Sequence, residues 1–182
     1  MVLYSLTQNP EMLAKLREEI AEIYDKEDPI TVDSLNKMDY LTAIIKEALR
    51  LYNPIGIGPG FKEASEDHKL GDITIQKGTR VVASLVHTNF QSKYFEDPTG
   101  FKPERWLKKE NLPTDPYAFT PFWAGPRNCI GQHLAMIEAK IMVCEFVKMY
   151  DFELIKDYKL KLGIEKGYGA MGDLPMNLTL RK

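Results

Sequence analysis

Apolar residues recur at helical spacing in the first third of the chain, with polar residues between them. Asn9 and Pro10 are typical of a helix start, with Asn as the N-cap, and the following pattern predicts a helix that ends near Tyr24. A second helix is predicted from Asp39, as its cap, to about Tyr52, where an Asn-Pro pair disfavours further helix. The apolar positions that define the first helix are Leu13, Leu16, Ile20 and Ile23.

The helical period is lost after the second helix. Glycine and proline at Pro54–Gly60 predict irregular chain. Leu70–Ile75 and Arg80–Leu85 predict two short strands that pair as a hairpin around Gln76–Gly78. Thr88–Pro121 is rich in Pro, Asp, Asn and aromatic residues, and we expect such a long connection to need a ligand or a function to organise it.

A strongly apolar helix is predicted from about Gln132 to Met149. Because its apolar residues lie on most sides, we expect this helix to be buried. The tail, Phe152–Lys182, predicts short strands that are broken by the loop Gly167–Gly172.

Composition and charge narrow the classes of function. The chain has 182 residues, of which 44% are hydrophobic and 27% are charged, a balance that suits one soluble globular domain. The formal net charge is −2 and no basic cluster dominates, which argues against a nucleic-acid partner. Two cysteines and three histidines, widely scattered, favour neither a disulfide framework nor a zinc site.

The ends of the chain also carry information. No apolar stretch approaches the roughly 18 residues that span a bilayer, and the first residues do not have the pattern of a signal peptide. The chain starts inside a helical pattern instead. We therefore expect it to be a piece of a longer protein.

Cys129 is the main candidate for chemistry. It lies in the loop Phe122–Gly131, directly before the apolar helix, where the helix dipole and free N–H groups favour thiolate over thiol. Gly125 and Gly131 allow the backbone to approach a flat ligand closely, and Arg127 is suited to pair with a carboxylate. This surrounding pattern favours a ligand role for the thiol over a structural one.

Glu47 and Arg50 are three residues apart and share one face of the second helix. Alone, this spacing is a weak signal. Arg105, in the Pro-rich segment Pro103–Trp106, is a candidate third member. We expect the three side chains to form a buried ion cluster that holds the long connection against the helix, because buried charges must be paired.

The remaining cysteine and the histidines are interpreted as structural or ordinary polar residues. Cys144 lies in the middle of the apolar stripe of the last helix, which predicts a core position. His68, His87 and His133 receive no ligand role.

In chain order, these motifs resemble the cytochrome P450 family of haem-thiolate monooxygenases. Phe122–Gly131 matches the family pattern Phe-x-x-Gly-x-Arg-x-Cys-x-Gly, with Trp123 where the family usually has a small residue. Lys46–Arg50 is similar to the Glu-x-x-Arg helix, and Pro103–Trp106 is similar to the Pro-Glu-Arg-Phe element. Leu3–Ile20 is similar to the end of the long distal helix and the helix after it, so the resemblance covers nearly the whole chain.

The resemblance implies a fold that is mainly α with small β-sheets. Residues 1–182 would form a single partial domain, the C-terminal and proximal haem-binding portion of an incomplete cytochrome P450 fold. Family members are usually more than twice as long. The distal residues that deliver protons to bound oxygen lie outside the chain, so no catalytic residue is assigned.

The resemblance also implies roles for individual residues. The cofactor would be haem (heme, iron protoporphyrin IX), with Cys129 as the iron ligand, Arg127 on a propionate and Phe122 near the sulfur. Glu47, Arg50 and Arg105 would be the structural triad. The other expected haem contacts are Gly125, Ile130 and Gly131, and the substrate-pocket candidates are Ile55, Gly56, Ile57 and Met171.

The implied function is oxidation of a small apolar substrate with O2. Electrons would come from a redox partner, either an NADPH-dependent reductase or a ferredoxin. The parent protein would lie on the endoplasmic reticulum membrane through its missing N-terminal region. Two alternatives stay open: a non-catalytic fragment or interaction module, and a haem-thiolate isomerase or dehydratase, since the same cysteine loop serves both chemistries.

Overall fold

Helices dominate the computed structural model, which describes residues 1–26, 30–55, 62–163, 169–170 and 172–181. The predicted class, mainly α with small β-sheets, is confirmed. The helices are α1 (Val2–Gln8), α2 (Pro10–Glu19) continued by a π-helical turn (Ile20–Tyr24), α3 (Val32–Asn36), α4 (Asp39–Leu51), α5 (Leu85–Asn89) and α6 (Gln132–Met149). Short 3₁₀ turns lie at Pro103–Trp106, Lys109–Asn111 and Gly125–Arg127.

The first predicted helix has the expected extent, but the cap at its start is different. α2 begins at Pro10, and the π-helical turn carries it to Tyr24, where the Asp25 amide donates to the Ile20 carbonyl. Asn9 does not cap α2 with its side chain. Its Nδ2 instead donates to the Ser5 carbonyl at 2.7 Å, and so satisfies a carbonyl in the last turns of the preceding helix.

α4 is capped from outside its own sequence. Asp39 is its first residue and its side chain makes no cap, so the predicted capping role is wrong. The Glu19 carboxylate of α2 takes that role, because Oε1 accepts the Tyr40 amide at 2.7 Å and Oε2 accepts the Leu41 amide at 2.8 Å. A carboxylate at a helix N-terminus also interacts favourably with the helix dipole. α2 therefore fixes the start of α4.

The core lies between α2, α4 and one face of α6. Cys144 is fully buried there, with its Sγ 3.8 Å from Met38 Sδ, which confirms the predicted core position. Burial raises the pKa of this thiol to about 12. The buried members of this core are Leu6, Leu16, Ile20, Tyr24, Leu35, Met38, Leu41, Ile44, Ile45, Val143, Cys144, Val147 and Phe152.

The expectation that α6 is buried on most sides is wrong for the part of the chain that the structure describes. Val143 and Val147 face the core, whereas Leu134 and Met142 are 60% and 71% exposed. The elements that pack against α6 are α3, α4, the π-helical turn and a following strand, and they leave Leu134 and Met142 uncovered. None of the described helices is both long and apolar enough to cross a membrane.

All strands in the described residues pair antiparallel in two-stranded sheets. The pairs are β1 (Lys62–Glu63) with β4 (Arg80–Val81), β2 (His68–Leu70) with β3 (Ile73–Ile75), β5 (Tyr150–Leu154) with β8 (Met176–Leu180), and β6 (Leu162–Gly163) with β7 (Gly169–Ala170). The strands predicted in the tail are confirmed as β5 to β8. However, β7 lies inside the segment predicted as a loop, 167–172, of which the structure describes residues 169, 170 and 172.

The hairpin predicted between Leu70–Ile75 and Arg80–Leu85 is wrong. Gly71 adopts a φ of +59°, so the chain turns inside the first predicted strand and Leu70 pairs with Ile73. Arg80 pairs with Glu63 instead. The predicted second strand also ends early, because Ser84 Oγ accepts the His87 amide and starts α5.

The Glu19 cap generates a stability prediction. We expect Glu19→Ala to lower the free energy of unfolding by about 1–3 kcal/mol, because two amides at the start of α4 lose a charged acceptor. Urea denaturation followed by circular dichroism measures this change. Glu18→Ala is the matched control, since Glu18 is exposed on the same helix, and equal effects of the two substitutions would contradict the capping role.

Candidate functional site

The Glu47 carboxylate is the centre of a buried ion cluster. Arg50 binds it in a bidentate manner, with Nη2 to Oε1 at 2.7 Å and Nε to Oε2 at 3.0 Å. Arg105 Nε donates to Oε1 at 3.1 Å. The Lys102 amide and the Trp106 indole each complete a further hydrogen bond at 2.9 Å. The structure thus brings together the three residues expected to form the cluster and adds two donors that sequence reasoning missed.

Arg50 uses its remaining donors on the backbone of the long connection. Nη1 donates to the carbonyls of Asn89 at 2.9 Å and Pro98 at 2.6 Å, and Nη2 donates to that of Gly100 at 2.9 Å. The Asn89 side chain returns a hydrogen bond to the Arg50 carbonyl at 2.9 Å. One fully used guanidinium therefore organises chain that has little regular structure of its own.

An aromatic ring supports both arginines of the cluster. The guanidinium carbons of Arg50 and Arg105 lie 5.1 Å and 5.9 Å from the centre of the Phe95 ring, within cation–π range. Phe95 is 1% exposed. The two guanidinium groups therefore interact with the carboxylate, with backbone carbonyls and with the face of the Phe95 ring.

Glu47 stays ionised in this environment. Burial acts to raise the pKa of its carboxyl, but the hydrogen bonds and charge of Arg50, the Lys102 amide and the charge of Arg105 act the other way and prevail. The pKa of Glu47 is therefore below its ordinary value. The cluster is a true ion pair network around a carboxylate.

The cysteine loop begins directly beyond this braced region. Asn53 Nδ2, just past the end of α4, donates to the Pro121 carbonyl at 3.2 Å. The Trp106 ring, which also bonds Glu47, packs on Phe119 with ring centres 4.4 Å apart. The residues that lead into the loop are thus held by the same network that surrounds Glu47.

Backbone hydrogen bonds fix the loop itself. The Cys129 amide donates to the Phe122 carbonyl at 2.9 Å, and the Trp123 amide donates to the Thr120 carbonyl at 2.9 Å. Gly125 has a φ of +78°, which a glycine adopts without strain. α6 begins at Gln132, so Cys129 precedes the first helical turn rather than lying in it.

The side chains of the loop fit a flat, iron-bearing group with carboxylate arms. Cys129 is a free thiol on an exposed part of the loop, and Ile130 next to it is fully exposed. Arg127 is exposed and has no acidic partner among the described residues. A Cβ at Gly131 would lie 3.9 Å from Cys129 Sγ, an ordinary van der Waals contact, so Gly131 borders the sulfur. The described residues contain no group of three or more side chains that could hold a bare metal ion.

The substrate-pocket candidates stay a prediction. Ile55 is 49% exposed, while Gly56, Ile57 and Met171 lie outside the described residues. The three histidines, His68, His87 and His133, are all exposed. Within the described part of the chain, neither Ile55 nor a histidine forms a hydrogen bond with Cys129.

Comparisons with known proteins agree with the motifs. A family model described as Cytochrome P450 matches residues 1–177. The mouse protein Cytochrome P450 4V2 is 38% identical over 144 residues, which cover 78% of this chain and 27% of that protein. A cytokinin hydroxylase from Arabidopsis thaliana is 37% identical over 174 residues, which cover 91% of this chain and 32% of that protein.

A fruit-fly relative shows the same relation. Probable cytochrome P450 4d20 from Drosophila melanogaster is 34% identical over 152 residues, which cover 82% of this chain and 29% of that protein. The chain therefore spans about a third of the length of these curated relatives.

The ion cluster predicts that replacing the Glu47 carboxylate by an amide strongly lowers the stability of the fold. We expect Glu47→Gln to lower the free energy of unfolding by about 3–5 kcal/mol, because two buried guanidinium groups lose their counter-charge. Glu104→Gln is the control, since Glu104 is half-exposed and has only long contacts, to Lys15 at 3.8 Å and to the Tyr40 hydroxyl at 3.4 Å, and its effect should be below about 1 kcal/mol. A Glu47→Gln protein that unfolds at the same urea concentration as its parent would contradict the central role of the carboxylate.

The same carboxylate predicts a dependence on pH. Because the pKa of Glu47 is lower in the folded chain than in the unfolded chain, its contribution is complete above the ordinary value of 4.5 and is lost as pH falls through the folded pKa. The difference in unfolding free energy between the parent and Glu47→Gln should therefore be constant near neutral pH and shrink below about pH 4.5. Urea titrations at a series of pH values measure it, and a difference that does not vary with pH would contradict the assignment.

Proposed function

Because the chain belongs to the cytochrome P450 family, whose members use a haem cofactor, we propose that its parent protein is a haem-thiolate monooxygenase with Cys129 as the iron ligand. The observation that carries the proposal is the exposed thiol of Cys129 on a loop held by its own backbone and by the Glu47 cluster. The activity of the parent protein is inferred from the family, since the chain covers about a third of the length of its relatives.

Each loop residue has a defined task in this proposal. The hydrogen bond from the Cys129 amide to the Phe122 carbonyl fixes the direction of the thiolate. Arg127, which has no acidic partner among the described residues, pairs with a propionate. Gly125, Ile130 and Gly131 present an open surface to the plane of the ring. When bound, a thiolate-ligated haem supplies the chemistry of oxygen activation.

The bracing network has a mechanical role in the same proposal. A metal ligand must be held within a fraction of an ångström of its working position, and residues behind it provide that precision. Here Asn53 holds Pro121 and Trp106 holds Phe119, so the start of the cysteine loop is tied to the Glu47 cluster. The cluster residues act on the site through the backbone and do not touch the cofactor.

Substrate and partners follow from the family and are part of the proposal. We infer a small apolar substrate and a redox partner, an NADPH-dependent reductase or a ferredoxin. Ile55 and the neighbouring segment, with Met171, are proposed to line the substrate pocket. Membrane attachment at the endoplasmic reticulum would belong to the parent protein.

We also propose that this chain alone holds haem weakly. The loop leaves Ile130 fully exposed and Leu134 60% exposed, so within the described chain nothing covers the face around the thiol. Added imidazole, or CO after reduction, would supply a further ligand to the iron and so make haem binding by this chain measurable.

The ligand assignment is tested by exchanging the two cysteines separately. The chain titrated with haemin, reduced and exposed to CO should show the red-shifted Soret band of thiolate ligation, and Cys129→Ala should lose it. Cys144→Ala is the matched control, because Cys144 is the other cysteine and lies in the core. Loss of the band in Cys144→Ala with retention in Cys129→Ala would overturn the assignment, and absence of the band in the full-length protein would overturn the proposed function.

A further inference from the structure

A small cavity lies between the π-helical turn and the last turn of α6, with a volume of about 270 Å³. Its apolar lining includes Ile20 and Val147, which are 3% and 0% exposed. The polar side chains that line it are Arg17, Asp25, Lys148 and Arg181. α6 begins at Gln132, so a rise of about 1.5 Å per residue places Val147 roughly 22 Å along the helix from the cysteine loop. The cavity is therefore separate from the proposed haem site.

Positive charge exceeds negative charge at this cavity, counted over the ion pairs of the described residues. Lys148 has a carboxylate of its own, because its Nζ lies 2.7 Å from Asp25 Oδ1. Arg17 and Arg181 share one, since Asp151 Oδ1 lies 2.7 Å from Arg17 Nη2 and 3.8 Å from Arg181 Nε. Three cations thus meet two carboxylates, and the excess positive charge lies on the arginine pair.

Both arginines keep N–H donors that the described chain does not use. Arg17 uses Nη2 for the Tyr150 carbonyl at 3.2 Å and for Asp151, while its buried Nε has no acceptor among the described residues. Arg181 donates to the Val147 carbonyl from Nη1 at 3.2 Å, and its Nε is too far from Asp151 for a hydrogen bond. A guanidinium group has five N–H donors. Arg181 therefore has most of its donors available for a ligand.

Backbone contacts hold both guanidinium groups beside the cavity. Arg181 follows β8, and its amide donates to the Met149 carbonyl at 2.9 Å, which continues the pairing of β8 with β5. Arg17 is held to the first residue of β5 through the Tyr150 carbonyl. The two side chains are partly enclosed, with 26% and 36% of their surface exposed. Groups that are held in place before binding lose less conformational entropy when a ligand arrives.

We propose that this cavity binds a small phosphate-bearing molecule through the guanidinium groups of Arg17 and Arg181. The proposal does not depend on the proposed haem function. Guanidinium groups match the oxygen geometry of phosphate, and a phosphate dianion offsets the excess positive charge. A carboxylate has two oxygens and one charge, so it matches a pair of guanidinium groups less well.

The size of the cavity limits the rest of the ligand. Typical ligand pockets begin at about 300 Å³, and this cavity is slightly smaller. The occupant is therefore a phosphate monoester with a small substituent rather than a larger phosphorylated molecule. Ile20 and Val147 contact that substituent, which is accordingly apolar.

The first test compares two ligands that share a ring and differ in their anionic group. Phenyl phosphate and benzoate are each titrated calorimetrically into the 182-residue chain at constant ionic strength. We expect saturable binding of phenyl phosphate and binding of benzoate that is at least about tenfold weaker, as for the loss of one charge-assisted hydrogen bond. Equal affinities would show that the site does not select phosphate, and no saturable binding of either ligand would overturn the proposal.

The second test changes the arginine that has most of its donors free. Arg181→Gln should weaken phenyl phosphate binding roughly tenfold. Lys156→Gln removes the same charge from an exposed position in the turn after β5 and should leave the affinity unchanged. If both substitutions weaken binding equally, the attraction is a general effect of net charge and the proposal is wrong.

A conservative variant keeps this test decisive if Arg181→Gln does not fold, which circular dichroism shows. Arg181→Lys keeps the positive charge near Asp151 but loses the guanidinium fork. It should fold as the unsubstituted chain does and bind phenyl phosphate more weakly. Affinity equal to that of the unsubstituted chain in Arg181→Lys would contradict recognition by a guanidinium pair.

Discussion

The described structure depends on the burial of one carboxylate, that of Glu47. Removing a carboxylate from water is expensive, and the chain compensates by giving Glu47 two guanidinium partners, a backbone amide and an indole N–H. These donors come from the same helix and from a segment more than fifty residues later. The carboxylate oxygens accept five hydrogen bonds in all, and this restricts how the helix and the later segment can be arranged. The long connection between α5 and the cysteine loop is ordered by this requirement rather than by regular secondary structure.

The order that starts at Glu47 extends to the cysteine loop through only a few contacts. Trp106 links the carboxylate to Phe119, and Asn53 links the end of α4 to Pro121. α4 itself is fixed at its start by Glu19 of α2. A chain of capping, ion pairing and ring packing therefore runs from α2 through α4 to the loop, and each step joins segments that are distant in sequence.

The sequence allowed the helices and the ion cluster to be predicted, because helical spacing and the Glu47–Arg50 spacing are local signals. Helical spacing located α2, α4 and α6, and the spacing of Glu47 and Arg50 indicated a shared face. The errors arose where distant or conformational effects decide. The α4 cap comes from Glu19, twenty residues before the helix, so Asp39 was the wrong choice. Gly71 breaks a strand through its positive φ, and no local pattern indicated that Trp123 would adopt a similar backbone.

The polar groups of the cysteine loop fall into two sets, backbone amides and side chains, which differ in whether they have hydrogen-bond partners. Its backbone amides at Trp123, Asn128 and Cys129 are satisfied within the chain, which gives the loop a defined shape before any ligand binds. Its side chains at Cys129 and Arg127 have no such partners among the described residues. A ligand that bound here would therefore meet a backbone whose shape is already set and two side chains whose bonding capacity is not used within the described chain, and this would lower the entropic cost of binding.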